Sequence, residues 1–239
     1  MGGMPGLFAR MKKMTRRELL RLQVFCEELA PEELEKLEKI LFKNSFVKKL
    51  EPKESLMQSG EKVKYIYLVE SGMIRAINYT PTGEEIFFFY FSEGMAVGLL
   101  NAIGSVDNFS EFIAVKKSRL QAIPVENLNQ AMTELPRFTR SVLTYVSKKS
   151  LELVQLVVIS RRKKTRDRIC SYLYLNYEKT KKTIYHTPFS IELLAKTLNL
   201  TRSACSKELH VLEAEGLISI EKNKIYLENP EGLKTCLFG

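Results

Sequence analysis

Two helical segments open the chain. The stretch MTRRELLRLQVFCEELA has a helical period that puts Leu19, Leu22 and the Phe25/Cys26 pair on one face. Pro31 begins a second amphipathic segment, PEELEKLEKILFKN, because proline fits the first turn of a helix and early glutamates suit its dipole. Residues 1–30 are therefore expected to form an N-terminal extension with one helix, and a second helix leads into the next domain.

From Phe46 to Val125 the hydrophobic pattern changes to short runs rich in Tyr, Phe, Ile and Val. The runs are FVKKLEP, SLMQSGE, YIYLVESG, MIRAINYTPTGEE, IFFFYFSEG, MAVGLL, FSEFIAVKKS and RLQAIPV, and glycines recur between them at intervals of roughly 8–12 residues. The TPTG sequence at residues 80–83 suits a hairpin turn, since proline sets φ and glycine tolerates a positive φ. This pattern predicts a jelly-roll-like, double-stranded β-roll of about eight short strands within a domain of residues 31–135.

A long helical pattern follows from Pro136 to Ser160 and is apolar over a wider arc than one buried face requires. One set of positions has heptad spacing, which is typical of contact between two helices, and a second apolar strip lies beside it. Contact with a partner helix and burial within the same chain both remain open. We expect residues 136–160 to form a dimerisation helix, with dimer contacts at Leu143, Val146, Leu153 and Val157, Ser150 on the same seam, and Leu151, Val154 and Val158 on the second strip.

The last segment has the pattern of a helix-turn-helix followed by a β-wing. Ser190 can cap SIELLAKTLN, and Thr201 can cap TRSACSKELHVLEAEG. The two helices are separated by Asn199-Leu200, where asparagine tolerates the left-handed conformation of a bend. LISIE and KIYLE then predict two wing strands. The fold class is therefore α+β: an N-terminal β-roll, a long dimerisation helix, and a winged helix-turn-helix domain at residues 161–239.

Charge strengthens the assignment of the C-terminal part. The net charge is +9, but residues 1–147 hold 20 Lys and Arg against 18 Asp and Glu, whereas residues 148–239 hold 17 against 10. A basic module attached to a near-neutral one is typical of a polyanion-binding domain. The basic segment RRKKTRDR, Arg161–Arg168, has two open interpretations: it forms a solvated hinge or the start of a helix, or it contacts phosphate.

Several functional classes are disfavoured by composition. Four scattered cysteines without a CxxC pair and two histidines argue against a disulfide framework, a metal site or haem, and fit a reducing cytoplasm. We predict no cofactor and no catalytic residues. A cupin-type enzyme would need histidine ligands inside the roll, and residues 46–125 contain none. No run approaches the ~20 apolar residues of a membrane span, and the first residues lack a signal-peptide core.

The start of the second helix of the C-terminal module is the candidate DNA-binding site. The N-terminal end of a recognition helix enters the major groove, so its exposed face must be polar and positive. Arg202 can bind guanine O6 and N7, and Ser203, Ser206 and Lys207 can reach other base edges or phosphates. The remaining candidates for backbone contact are Thr201, Ser190, Lys196, Lys222 and Lys224.

Over about Pro31 to Glu228 the chain resembles the Crp/Fnr family of bacterial transcription regulators. The pieces that carry the resemblance are YIYLVESGMIRAINYTPTGEE, FSEGMAVGLL, PRFTRSVLTYVSKK and LTRSACSKELHVLEAEGLI. The resemblance implies a cytoplasmic homodimer that binds a two-fold symmetric DNA site and recruits or blocks RNA polymerase. It also implies an effector that binds in the β-roll, packs against the long helix and rotates the DNA-binding domains.

The chain departs from the family pattern at two places. The family's Arg-Glu-x-x-x-Arg becomes Arg202, Ser203 and Lys207, so an acceptor that could bind cytosine is missing. The cyclic-nucleotide cassette of the family opens Gly-Glu-Leu and continues with Arg-Ser, whereas here it opens Gly98-Leu99-Leu100 and residues 101–115 contain no Arg or Lys. A buried phosphate without a cation is costly, so a cyclic nucleotide is not expected. The effector remains unknown; candidates for its pocket are Gly98, Leu99, Leu100, Phe109, Phe112 and Tyr145.

Other functions stay open beside this one. The effector could be a small apolar or aromatic molecule, a thiol-based signal, or absent. The chain could also regulate through protein contacts with weak DNA binding, in which case DNA binding would be absent or insensitive to salt.

Overall fold

A sheet with two unusually long strands organises the first of two units, Met1–Ser147. The computed structural model describes residues 14–83, 85–186, 191–221 and 224–235. The elements of this unit are α1 (Arg16–Arg21), a 3-10 turn (Val24–Cys26), α2 (Pro31–Leu41), β1 (Phe46–Leu50), β2 (Ser55–Met57), β3 (Tyr65–Tyr79), β4 (Glu85–Ser92), β5 (Ala96–Val97), α3 (Leu99–Gly104), β6 (Glu111–Pro124) and α4 (Val125–Glu134). Helix α5 (Pro136–Ser160) begins in this unit and ends in the second, Lys148–Gly239.

The strands are fewer and longer than the sequence predicts. YIYLVESG and MIRAINY join into β3, and EFIAVKKS and RLQAIP join into β6, so the described residues of this unit form six strands rather than about eight. Strand β3 is irregular at Gly72, where φ is +101° and the register with β6 shifts. A Cβ at Gly72 would lie 2.3 Å from the Oγ of Ser118 on β6, so the two strands approach this closely only because residue 72 is glycine.

Each long strand pairs with different neighbours along its length. Strand β3 pairs with β6 along one edge. Along its other edge it pairs with β5 in its first half and with β4 in its second half. Strand β6 likewise pairs with β2 near its start and with β1 near its end. All these pairings are antiparallel, and the sheet order is β1-β6-β3-β4. The predicted strand MAVGLL is wrong beyond Val97, because Leu99 begins a helix after Gly98 adopts a left-handed conformation.

Two apolar cores lie in the first unit. The one within the sheet contains Val69, Ile74, Phe112, Ala114 and Leu120. The other packs the helices against the opposite sheet face and includes Leu37, Ile66, Leu68, Leu128 and Phe138.

The first helical segment is shorter than predicted. A capping box between Thr15 and Glu18 begins α1, but the helix ends at Arg21 and the chain continues into the 3-10 turn. Leu20 is buried in place of Leu22, which is 43% exposed. The break rotates the later residues, so Phe25 is still buried, as predicted, although it does not continue α1.

The second unit surrounds one apolar core with helices and a small sheet. Its elements after α5 are α6 (Thr165–Thr180), β7 (Ile184–His186), α7 (Ile191–Thr197), α8 (Arg202–Ala214), β8 (Ile218–Glu221), β9 (Lys224–Leu227) and α9 (Pro230–Thr235). The predicted β8 and β9 are joined by a third strand that was not predicted, β7, in the order β7-β9-β8. Helix α9 was also missed. Its Leu233 is fully buried in the core with Ile169, Leu194 and Leu209.

The predicted α+β class is confirmed: an antiparallel β-roll, a long helix and a winged helix-turn-helix unit. Among the described residues, no helix has the length and apolar character needed to cross a membrane.

Candidate nucleic-acid interface

The turn between α7 and α8 is a Schellman motif. Asn199 is left-handed, with φ +53°. The amide of Leu200 donates to the carbonyl oxygen of Ala195 at 2.8 Å, and the amide of Asn199 donates to that of Lys196 at 3.2 Å. These two bonds satisfy carbonyls at the end of α7 and reverse the chain tightly, as the asparagine at this position predicts.

Helix α8 begins at a capped N-terminus. Thr201 has extended backbone angles, and its hydroxyl accepts from the amide of Ala204 at 3.2 Å, as predicted. The hydroxyl oxygens of Thr201 and Ser203 lie 3.2 Å apart. The Ser203 hydroxyl is therefore within hydrogen-bond distance of the cap, a contact that sequence reasoning did not anticipate.

The two faces of α8 differ as a recognition helix requires. Cys205, Leu209 and Leu212 are fully buried on the inner face. Arg202, Ser203 and Lys207 are exposed on the outer face, with Ser206 half-buried beside them and Ala204 half-buried rather than buried. The N-terminal part of α8 thus presents hydroxyl and cationic donors while its apolar side holds the helix on the core.

The carboxylates of α8 and its C-cap are occupied by partners within the unit. Arg166 of α6 forms a two-point ion pair with Glu215, one arm of which measures 2.9 Å, and also reaches Glu208 at 3.5 Å. The Arg166 guanidinium holds the pKa of Glu215 below its usual value through a hydrogen bond and its charge. Glu213 accepts from the amide of Ile220 at 2.9 Å, which ties α8 to β8.

The basic segment between α5 and α6 is divided between two environments. Arg166 and Arg168 are half-buried and bond within the unit, so they are structural residues. Arg161, Lys163 and Lys164 are exposed. Helix α6 begins at Thr165 within this segment, and contact of its exposed residues with phosphate stays a prediction.

The remaining DNA-binding candidates lie around the helix-turn-helix. Lys224 is exposed at the start of β9, opposite Glu221 in the register of the wing. Lys196 is exposed on α7 and pairs with Glu192 at 3.3 Å. Ser190 and Lys222 lie outside the described residues.

Two protein-family models match this chain, one in each unit. A family model described as the cyclic nucleotide-binding domain matches residues 47–134, and one described as the Crp-like helix-turn-helix domain matches residues 167–236. The chain belongs to the Crp/Fnr family. As a Crp/Fnr protein it is a transcription regulator with a helix-turn-helix DNA-binding domain.

The relatives of this Crp/Fnr chain have low sequence identity to it, but the similarity extends over most of their length. The fumarate and nitrate reduction regulatory protein of Salmonella typhimurium is 22% identical over 206 residues, which cover 84% of this chain and 81% of that protein. FixK2 from Bradyrhizobium japonicum is 17% identical, with a TM-score of 0.65 over 80% of this chain and 96% of that one. A CooA mutant from Carboxydothermus hydrogenoformans is 16% identical, with a TM-score of 0.66 over 80% and 87%. The two structures support the fold alone.

The effector-pocket candidates of this Crp/Fnr protein lie in different surroundings. Leu99 is buried in the core between helices and sheet, and Phe112 is buried in the core within the sheet. Leu100 and Phe109 are more than half exposed. Tyr145 of α5 is half-buried, with its ring 5.6 Å from that of Phe25, and Gly98 provides the left-handed residue before α3.

A buried asparagine that sequence reasoning missed closes the loop after α3. The Asn108 side chain donates to the carbonyl oxygen of Gln58 at 2.8 Å, and its backbone amide donates to that of Glu61 at 2.9 Å. The amide of Gly60 in turn donates to the carbonyl oxygen of Asn108 at 2.6 Å. The segment that corresponds to the family's cyclic-nucleotide cassette is thereby joined to the loop before β3 by the chain's own groups.

Helix α5 carries a long row of exposed apolar side chains. Six of its residues have exposures between 46% and 65%: Leu143, Leu151, Leu153, Val154, Val157 and Val158. Val146, the remaining predicted dimer contact, is half-buried against the helical core of the first unit. Large exposed apolar patches on a soluble protein mark interaction surfaces.

Two of the thiols are poorly reactive. Burial raises the pKa of Cys26 to about 12 and that of Cys205 to about 11, so both are protonated near neutral pH. Cys170 is also buried, and Cys236 lies outside the described residues. A protonated buried thiol is a poor nucleophile, which weighs against a thiol-based signal at Cys26 or Cys205.

Proposed function

We propose that the protein is a dimeric, sequence-specific transcription regulator whose α8 enters the major groove of DNA. The observation that carries this proposal is the N-terminal end of α8, where Arg202, Ser203 and Lys207 are exposed directly after the Thr201 cap. In this proposal residues 31–135 sense an effector, residues 136–160 pair two chains, and residues 161–239 bind DNA.

Electrostatics support this orientation of α8. An uncompensated carboxylate beside phosphates would be repelled, and Glu208 and Glu215 are instead paired with Arg166. Because Arg166 neutralises both carboxylates, they would not oppose the attraction between DNA and the exposed cations at the start of α8.

Cationic and hydroxyl side chains, and no carboxylate, would contact the bases at the start of α8. Arg202 is long enough to bind both O6 and N7 of one guanine, and Lys207, which lies five residues further along the helix, can bind a second acceptor. Ser203 stands where the family pattern has an acid that can accept from cytosine, and its short hydroxyl is close to Thr201. We therefore expect a half-site defined by guanine contacts, without selection of cytosine opposite Ser203.

Two copies would pair through the exposed apolar row of α5. An amphipathic helix of this kind gains stability when its apolar seam is covered by a second helix. Such a dimer would place two α8 helices on a two-fold symmetric site with half-sites about 34 Å apart. RNA polymerase is the expected macromolecular partner at the promoter, and the cytoplasm is the expected compartment.

The effector is proposed not to be a cyclic nucleotide. Leu99, at the position of the family's acidic residue, is 3% exposed in an apolar core. Residues 101–115 contain no Lys or Arg to pair with a phosphate. A ligand of this β-roll would therefore be apolar or aromatic.

Selection of bound sequences from random DNA tests the function. The wild-type protein should enrich one two-fold symmetric sequence. Arg202→Ala should lose about 1–3 kcal/mol of discrimination at one base pair of each half-site. Lys224→Ala should weaken all DNA about equally and lower the salt slope by about one.

Lys39→Ala is the matched control, because Lys39 is an exposed lysine of the first unit. No enrichment by the wild-type protein, or binding that does not depend on salt, would contradict the proposal and favour regulation through protein contacts.

A further inference from the structure

We propose that Arg168 is the positioning residue that fixes the turn of the helix-turn-helix to the joint between α5 and α6. This inference rests on the proposed DNA-binding function and adds a residue that does not itself contact DNA. Its consequence is that the N-terminal end of α8 has one defined direction relative to that joint.

One guanidinium group bonds to two distant parts of the chain. Arg168 Nε donates to the carbonyl oxygen of Arg162 at 2.6 Å. Arg168 Nη1 donates to the carbonyl oxygens of Asn199 at 2.7 Å and Leu198 at 3.3 Å. Arg162 lies in the joint between α5 and α6, whereas Leu198 and Asn199 form the turn after α7. All three acceptors are backbone atoms, so the contact fixes the path of the main chain.

Arginine suits this position for reasons of geometry and charge. Its donors lie in one rigid plane and point in different directions, so a single side chain can span two carbonyl groups. The carbonyl oxygens near the end of α7 have no further turn of helix to supply N–H groups, and they carry the partial negative charge of a helix C-terminus. A lysine would bring the charge but only one compact donor group.

The held turn leads directly into the DNA-contacting residues. Asn199 lies two residues before the Thr201 cap, and Arg202 follows the cap. The Schellman bond from the Leu200 amide to Ala195 fixes the turn from the side of α7. Arg168 fixes it from the side of α6, so together they orient the first turn of α8.

The alternative role for a cation in this basic segment is direct contact with phosphate. Phosphate contacts add affinity for every DNA sequence and increase the salt dependence. A positioning residue affects only binding that requires the bases to be matched. The two roles therefore differ in the ratio of specific to non-specific binding.

The experiment compares full-length wild-type protein with Arg168→Lys and Arg168→Ala, and uses Arg161→Ala as the control from the exposed part of the same segment. Affinities for the selected site and for random DNA are measured over a range of salt concentrations. Hydrogen exchange of the Leu200 amide is followed in the absence of DNA, and thermal unfolding shows that each variant is folded.

For Arg168→Lys we expect about ten-fold weaker binding to the selected site, random-DNA binding within about two-fold of wild type, an unchanged salt slope, and about ten-fold faster exchange at Leu200. General destabilisation would instead lower both kinds of binding together. Arg161→Ala should leave exchange and specificity unchanged.

Wild-type exchange and specificity in Arg168→Lys would overturn the proposal. Equal losses for both DNAs in Arg168→Ala, with a salt slope lower by about 0.9 because the charge is removed, would also overturn it. Arg168→Lys keeps the test decisive if Arg168→Ala does not fold. If the wild-type protein prefers no sequence, the proposed function fails, whereas exchange at Leu200 still decides the role of Arg168.

Discussion

Truncation of the exposed row on α5 should separate the proposed dimer. Leu153 is 46% exposed and Val157 is 52% exposed. Full burial of such a side chain is worth about 1.5–3 kcal/mol, so covering the exposed half contributes about 1 kcal/mol. Because a two-fold interface contains every residue twice, Leu153→Ala should cost about 2 kcal/mol, or a dissociation constant about 30-fold higher. Leu153→Ala with Val157→Ala should cost about 4 kcal/mol.

Sedimentation velocity over a dilution series measures this change directly. Gln155→Ala is the control, because Gln155 is exposed on the same helix about 160° from both Leu153 and Val157. A double variant that dimerises like the wild type, or a wild-type protein that is monomeric throughout the series, would refute the reasoning.

Gly72→Ala should destabilise the protein by about 2 kcal/mol more than Gly83→Ala in urea unfolding, because both glycines have positive φ but only Gly72 faces another strand at contact distance; equal losses would contradict this. Alkylation of Cys205 at about pH 8 should require unfolding, since burial raises its pKa to about 11, and rapid labelling of the folded protein would be inconsistent. Arg166 lowers the pKa of Glu215. The ion pair between them therefore contributes to stability above pH 4.5, the usual pKa of a glutamate, and this contribution is lost as the pH falls through the pKa of Glu215 in the folded state. Glu215→Gln should reduce this acid sensitivity of the thermal midpoint, and an unchanged pH profile would exclude the ion pair.

The helix-turn-helix was predictable because its signals are local. Thr201 lies next to the helix that it caps, and Asn199 occupies the bend that requires a left-handed residue. The inner face of α8 follows from residues three and four apart, as Leu209 and Leu212 illustrate. Each of these features depends on a few neighbouring residues, so a single sequence is sufficient to find them.

The errors in the β-roll have a non-local cause. Whether YIYLVESG and MIRAINY form one strand or two depends on the space beside Gly72, and Ser118 of a distant strand determines that space. The same limit applies to charged residues. Arg166 and Arg168 appear in the sequence as members of one basic run, but their partners in α8 and in the turn after α7 are more than 29 residues away.

The distribution of apolar residues along α5 has a consequence for modular design. Five of its six exposed apolar side chains follow residue 147 and therefore belong to the same unit as α8. Under the proposed pairing, a chimaera that exchanges residues 1–147 for an unrelated sensor would retain most of its self-association and its half-site spacing. The sensor domain of such a regulator could thus be replaced while dimerisation and DNA binding are retained.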